Sequence, residues 1–295
     1  MGVLRNYFSG VCSLTDGLAG LGEYVGKSVT TSDVVTASGV AQLAARFGID
    51  PPASGIGDPL PPGWHGPLFV PMHGPQNMRE DGQPAGGFMP KISLPIQRLR
   101  GENTTFEGVL RIGDEMTRKS EIAEIDIDDQ AARGPLVSLM FRQTLSGPAG
   151  VAVVEERRFL YFGTDYRLDT STPELPVDHD WERIVDPDPV TLFRFSAIRF
   201  NSHRVHYDRR YAVDVEGHPG LIVQGTLINF LMVEMARAGA AGETLRALDF
   251  RIHKPIFDTA PFTMRGATTD MGATLWALDG DGVLSMTADA RYAAR

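Results

Sequence analysis

Hydrophobic patterning repeats along this chain: a helical stripe precedes four strand-like segments, and a second series follows in the same order. In the first series Val40, Leu43, Ala44 and Phe47 recur at helical spacing. Thr31-Ser32-Asp33 offers an N-cap ahead of them, Thr36 leaves the first turn polar, and Gly48 ends the run. A Pro/Gly-rich stretch from Pro51 to about Pro95 is too full of breakers to be regular. Residues 105–112, 115–125, 136–145 and 151–162 are rich in β-branched and aromatic side chains and are separated by Gly, Asp or Pro, as strands are. The second series opens with an apolar helix over 221–238, with Leu227, Leu231 and Met235 on one stripe. Strands at 245–256, 262–268, 273–278 and 283–293 follow.

Weak echoes tie the two series together. The run from Phe106 to Asp114 matches that from Phe250 to Asp258 in length and in its closing Asp, and Gly150-Val151 and Gly282-Val283 each open a terminal strand. A long apolar helix must bury itself against something, and four or five antiparallel strands supply a concave sheet. The predicted architecture is α+β, a double hot dog in which each sheet wraps one central helix, with 34–47 as the first central helix and 221–238 as the second. Some other two-domain α+β arrangement fits the repeat alone. The expected division is an N-terminal hot dog over 1–163, a linker over 164–188 and a C-terminal hot dog over 189–295.

Composition narrows the functional classes. The 295 residues are 42% apolar and 22% charged, as in ordinary globular chains, and they carry a net charge of −9. No Lys/Arg cluster rises above that acidic background, so nucleic acid is not an expected partner. No run of about 18 apolar residues and no signal-peptide core occurs, so neither membrane nor export is expected. The one cysteine, Cys12, excludes an intrachain disulfide and a multi-cysteine zinc site, and reads as a buried small side chain or a free thiol.

Chemistry concentrates in one place. Asn201, His203, His206 and Asp208 fall in Asn-Ser-His-Arg-Val-His-Tyr-Asp, and a Gly-rich turn with Gln224-Gly225 then leads into the second helix. Three of the seven histidines lie between 203 and 218. From residue type alone, His206 is either a core histidine bonded to a backbone carbonyl or a proton-transfer group. Asn201 is either a turn or capping residue or a side chain that accepts from and donates to a water and so fixes its position. No His-x-x-x-His pair and no cysteine supports metal ligation.

The segment resembles the hydratase motif of MaoC-like (R)-specific enoyl-CoA hydratases and dehydratases, Asp-x-Asn-Pro-aliphatic-His-x-Asp. It is most similar to the double-hot-dog branch whose members hydrate mesaconyl-C4-CoA or itaconyl-CoA. Leu60-Pro-Pro-Gly-Trp64-His65, Asp81-Gly82, Gly87-Phe-Met-Pro90 and Gly220-Leu-Ile-Val-Gln-Gly225 resemble that branch too, so the likeness covers nearly the whole chain.

By position, the resemblance implies His206 as the catalytic histidine, Asn201 at the place of the motif's aspartate, and Gly225 as the residue whose backbone N–H faces the thioester oxygen. Asn201, His203 and Arg204 depart from the general motif, and without a carboxylate at 201 a two-base mechanism has no second base. Arg204 and His203 are candidates to meet a substrate carboxylate through charge-assisted bonds. Asp208 is read as orienting the loop, and His218, Trp64 and Trp181 as structural. Glu234 is read as a solvated or loop-bonded carboxylate, and Arg98 and Arg100 as surface residues or contacts for a CoA phosphate. The implied activity is reversible hydration of a short, branched, dicarboxylic 2-enoyl-CoA by a cytoplasmic homodimer, with no cofactor beyond the CoA of its substrate and no metal. Rivals on the same fold are (R)-3-hydroxyacyl thioester dehydration in fatty-acid metabolism, thioester hydrolysis and non-catalytic acyl-CoA binding.

Overall fold

The computed structural model describes residues 18, 20–66, 68–70, 73–84, 87–129, 134–164, 166, 173–176, 178–240 and 242–293. Cys12 lies outside them. Ten antiparallel strands form one continuous sheet in the order β1-β3-β4-β5-β2-β7-β10-β9-β8-β6. The first half supplies β1 (Ser28–Val34), α1 (Ala37–Phe47), β2 (Ile96–Phe106), β3 (Glu115–Asp128), β4 (Leu136–Gly147) and β5 (Gly150–Phe162). The second supplies β6 (Trp181–Val185), α2 (Pro189–Ile198), α3 (Gly225–Gly239), β7 (Thr244–Ile252), β8 (Phe262–Thr269), β9 (Gly272–Leu278) and β10 (Leu284–Ala293).

Each half has five strands in the same relative order, and the halves meet where β2 pairs with β7. That seam centres on Asn103 opposite Asp249, with Gly101 facing Arg251 at one end and Thr105 facing Ala247 at the other. A Cβ on Gly101 would lie 2.4 Å from the Phe250 carbonyl oxygen, so glycine is what lets the two strands approach there.

The repeat is real, but its members match differently from the sequence expectation. β1 and β6 precede the helices in both halves; β1 falls on the residues expected as an N-cap, and β6 on those expected as linker. Both are short edge strands rich in polar side chains, which hides the period-2 signal. The cap of α1 is Thr36, whose hydroxyl accepts from the Gly39 N–H at 3.1 Å. Following β1 directly, α1 is the counterpart of α2, which follows β6, and not of the central helix.

The backbone locates the true counterpart of α3. Val223 N–H donates to Ile256 O and Asp258 N–H to Leu221 O; in the first half Leu60 N–H donates to Leu110 O and Ile112 N–H to Asp58 O. Leu60 therefore occupies the place of Val223, and Ile112, not Asp114, that of Asp258. The chain after Leu60 ought to enter a central helix. It reads Pro61-Pro62-Gly63-Trp64-His65-Gly66-Pro67, and that density of breakers prevents one. The second half does wrap its helix: α3 packs on β7, β8 and β9, and its Leu227, Ile228, Phe230, Leu231, Met232, Val233 and Ala236 are buried, Phe230 on the far side against Phe47 and Trp64. A helix apolar nearly all round is the signature of a core element. Trp64 packs edge-on to Phe230 and its indole N–H donates to Glu234 at 2.9 Å, so Glu234 anchors the first half to α3.

Candidate active site

The loop after α2 is folded by its own side chains. Phe200 takes a left-handed turn (φ 48°), and the Asn201 N–H donates to Ser196 O at 2.8 Å. The Asn201 side-chain oxygen accepts from the His203 N–H at 3.1 Å, an Asx turn that leads into a short 3-10 turn over Arg204–His206. Asp208 then accepts from the Tyr211 N–H at 3.1 Å and starts the next turn.

Two bonds fix this loop to the strand-like segment entering α3. Ile222 N–H donates to Val205 O at 2.9 Å, and His206 Nδ1 lies 2.8 Å from Ile222 O. A carbonyl oxygen can only accept, so the proton of neutral His206 is on Nδ1 and Nε2 carries the lone pair. Burial pushes His206 down to about 4, His203 beside it adding to the effect, so the ring is neutral at physiological pH. The His203 ring stands edge-on to it, 5.2 Å between centroids. His203 is itself held below its ordinary value by burial, and its Nε2 accepts from the Gln83 amide at 3.2 Å.

Three residues beyond Ile222, α3 begins at Gly225 with no side chain capping its N-terminus. The first N–H groups of a helix have no intrahelical acceptor and carry the positive end of the macrodipole. Gln224 secures the position by donating to Leu192 O and Ser196 Oγ of α2, both at 2.9 Å.

Arg204 does not join this group. Its guanidinium pairs with Asp208 at 2.8 Å, lies 4.0 Å over the Tyr211 ring and reaches Glu80 O at 3.3 Å. The expectation that it meets a substrate carboxylate is not what this geometry favours: an arginine next to the motif in sequence is turned into the loop's scaffold.

A cavity of about 1110 Å³ opens beside the loop. Asn201, His203 and Thr226 line it from the second half, and His65, Phe69, His73 and Gln83 from the first, whereas His206 is one ring back from the wall. The stretch that replaces the missing first central helix thus borders the space such a helix would fill. A turn over Arg79–Gln83 closes one side: Arg204 N–H donates to Asp81 O and Ser202 Oγ to Gly82 O. Gly82 has φ 82°, and a Cβ there would meet Ser202 O at 1.9 Å.

The inner face of the first sheet half carries residues that the sequence did not single out. Along β5 that face reads Val153, Glu155, Arg157, Phe159, Tyr161; across from it β4 presents Leu145, Gln143 and Phe141, and β3 presents Arg118, Ser120 and Ile122. A polar band so divides two apolar clusters. Glu155 bonds His65 at 2.9 Å, and Arg157 bonds Glu102, Glu155 and Gln143. Burial works to raise the Glu155 carboxyl, yet Arg157 and His65 hold it well below its usual range. Four consecutive charges, Glu155 to Arg158, inside an otherwise apolar strand were the available signal, because alternate residues of a strand face opposite sides and two of the four must point inward.

Residues 63–258 match the family model for type 2 hydroxyacyl-thioester dehydratases. Over 251 residues, 83% of this chain and 89% of the relative, it is 36% identical to the mesaconyl-C(4)-CoA hydratase of Chloroflexus aurantiacus. The chain belongs to this MaoC-like family. It is a hydro-lyase of acyl thioesters. Two solved structures share the fold: the MaoC-like dehydratase from Phytophthora capsici (TM-score 0.61, 14% identity, 91% of this chain and 96% of that one) and HtdX from Mycobacterium tuberculosis (TM-score 0.60, 19% identity, 89% and 99%). The hot-dog expectation holds, with a central helix in the second half alone among the described residues. None of the described helices is long and apolar enough to cross a membrane, and no described cluster of His, Cys, Asp and Glu is arranged to hold a metal ion.

Proposed function

We propose that this enzyme reversibly hydrates a short, branched, dicarboxylic 2-enoyl-CoA of the mesaconyl-C4-CoA kind. The observation that carries the proposal is the His206–Ile222 bond, which leaves Nε2 as a neutral proton acceptor near the open start of α3. Water adds its oxygen to Cβ as His206 Nε2 takes the water proton, and the double-bond electrons move onto the thioester oxygen. The same nitrogen then returns a proton to Cα. Such proton transfer is worth roughly 10²–10⁴-fold in rate. Gly225 N–H stabilises the enolate-like oxygen, a contribution of about 10²–10³-fold for one such donor. Asn201 borders the cavity and is not a base; with its carbonyl engaged by His203 N–H, its amide N–H groups are the donors left to hold the water oxygen.

Similarity to the Chloroflexus relative supports the acyl group, and the charged cavity wall favours a carboxylate-bearing substrate over a long alkyl chain. The proposal includes a cytoplasmic homodimer with no cofactor beyond the CoA of its substrate. Its test is loss of the enoyl-thioester absorbance over a panel containing mesaconyl-C4-CoA, crotonyl-CoA and a long-chain enoyl-CoA. Preference for the first is expected; preference for the long chain overturns the acyl assignment.

A further inference from the structure

Three arginines, Arg118, Arg157 and Arg199, line the cavity, and two carboxylates, Glu102 and Glu155, lie with them. Arg157 satisfies both carboxylates, bonding Glu102 and Glu155. Its side chain is 19% exposed, and burial, which works against its charge, is outweighed by those two neighbours. Nothing comparable serves the other two. Among the described residues no carboxylate lies within ion-pair distance of Arg118 or Arg199. Arg199 donates to Gly66 O at 2.6 Å. Arg118 donates to Phe69 O at 3.2 Å and lies 4.9 Å over the Phe69 ring, with its Nε buried and without an acceptor. Burial, followed by repulsion from Arg157, holds both guanidinium groups below their ordinary value, against the weaker pull of Glu155 on both, of Asp33 on Arg118 and of Glu102 on Arg199.

A part-buried guanidinium with no carboxylate in bonding contact loses much of its hydration without a direct partner, so an anionic group entering the cavity would be favoured there. The band lies on the face where the second half buries α3, in the space left by the missing first central helix. Arg199 is two residues from Asn201, and both border the same cavity. We infer that Arg199 and Arg118 form the subsite for the free carboxylate of the acyl group, with Arg157 and its two glutamates as the fixed scaffold between them. The inference rests on the dicarboxylic reading above and transfers to this pair the role that sequence adjacency suggested for Arg204. The fork geometry of a guanidinium suits a carboxylate, and three apolar contacts nearby, Leu68, Phe69 and Leu145, suit a methyl branch.

Succinyl-CoA and butyryl-CoA test this directly, because they differ in the terminal carboxylate and neither can be hydrated. Their binding to the full chain is measured by calorimetry for the wild type, Arg199→Gln and Arg118→Gln. The wild type should bind succinyl-CoA more tightly. Either variant should lose roughly 10- to 150-fold for succinyl-CoA, the worth of a bond to a charged group, and keep its affinity for butyryl-CoA. Equal losses on both ligands would mean that the arginines hold the CoA moiety or the fold; unchanged binding would also overturn the subsite. If one variant fails to fold by circular dichroism, the other decides, and a wild type without preference overturns the inference on its own. Wild-type hydration of mesaconyl-C4-CoA is assayed alongside: its absence defeats the substrate reading, whereas its presence with insensitive variants defeats the arginine subsite alone.

Discussion

The Nδ1–H of His206 donates to the carbonyl oxygen of Ile222 across 2.8 Å, and the neighbouring Val205 carbonyl accepts from Ile222 N–H in return. This reciprocal pair sets the tautomer of the histidine and ties the motif loop to the segment that starts α3. If His206 is the proton-transfer group, His206→Ala lowers kcat by roughly 10²–10⁴-fold with the fold intact by circular dichroism. Inactivity accompanied by unfolding would make it a core histidine instead. His203, on the cavity wall, is the control: His203→Ala should cost much less than His206→Ala, and the reverse order would move the proton transfer to His203.

The same burial gives a pH signature. The folded-state value of His206, about 4, lies below the 6.5 of an exposed histidine. Between those values the unfolded chain binds more protons, so stability falls as pH drops from about 6.5 towards 4. His203 shifts in the same direction and adds to the slope. The thermal midpoint of the wild type should therefore fall more steeply over that window than that of His206→Gln. Parallel curves would mean that His206 is not held neutral by the fold.

Arg204 separates scaffold from ligand contact. With its guanidinium committed to Asp208, Tyr211 and Glu80 O, Arg204→Met should lower kcat/KM for mesaconyl-C4-CoA and crotonyl-CoA by equal factors. A loss confined to the dicarboxylic substrate would return Arg204 to the substrate.

Gly82 tests the contribution of the first half. Its positive φ and the 1.9 Å approach a Cβ would make to Ser202 O mean that Gly82→Ala must displace the turn over Arg79–Gln83. A destabilisation of about 1–3 kcal/mol is expected, with weakened activity, since Gln83 and Asp81 support His203 and Arg204 from that turn. Wild-type stability and rate would show that the turn is not part of the site.

Eight of the ten strands, and α3, were legible because their side chains alternate or form a stripe, although the strand expected at 105–112 covers only the end of β2. β1 and β6 were not, since an edge strand with polar residues on both faces has no period to read. Pairing α1 with α3 was an error of topology: both carry apolar residues at helical spacing, and that spacing says nothing about which strand a helix follows. The loop from Asn201 to Asp208 was visible as a motif because its residues act locally. The arginine band was not, because Arg118, Arg157 and Arg199 come from β3, β5 and the end of α2, and only the folded sheet brings them to one cavity. Arg204 shows the converse, since nearness in sequence to His206 placed it beside the chemistry without directing it there.

Hydration, as against hydrolysis, is decided by the products. Purified enzyme is incubated with mesaconyl-C4-CoA, and the products are followed by mass spectrometry together with a thiol assay. The wild type should form a CoA thioester heavier by one water, His206→Ala should not, and no free CoA should be released. Stoichiometric free CoA would make the protein a thioesterase, and unchanged substrate alongside rapid hydration of a long-chain enoyl-CoA would contradict the dicarboxylic assignment.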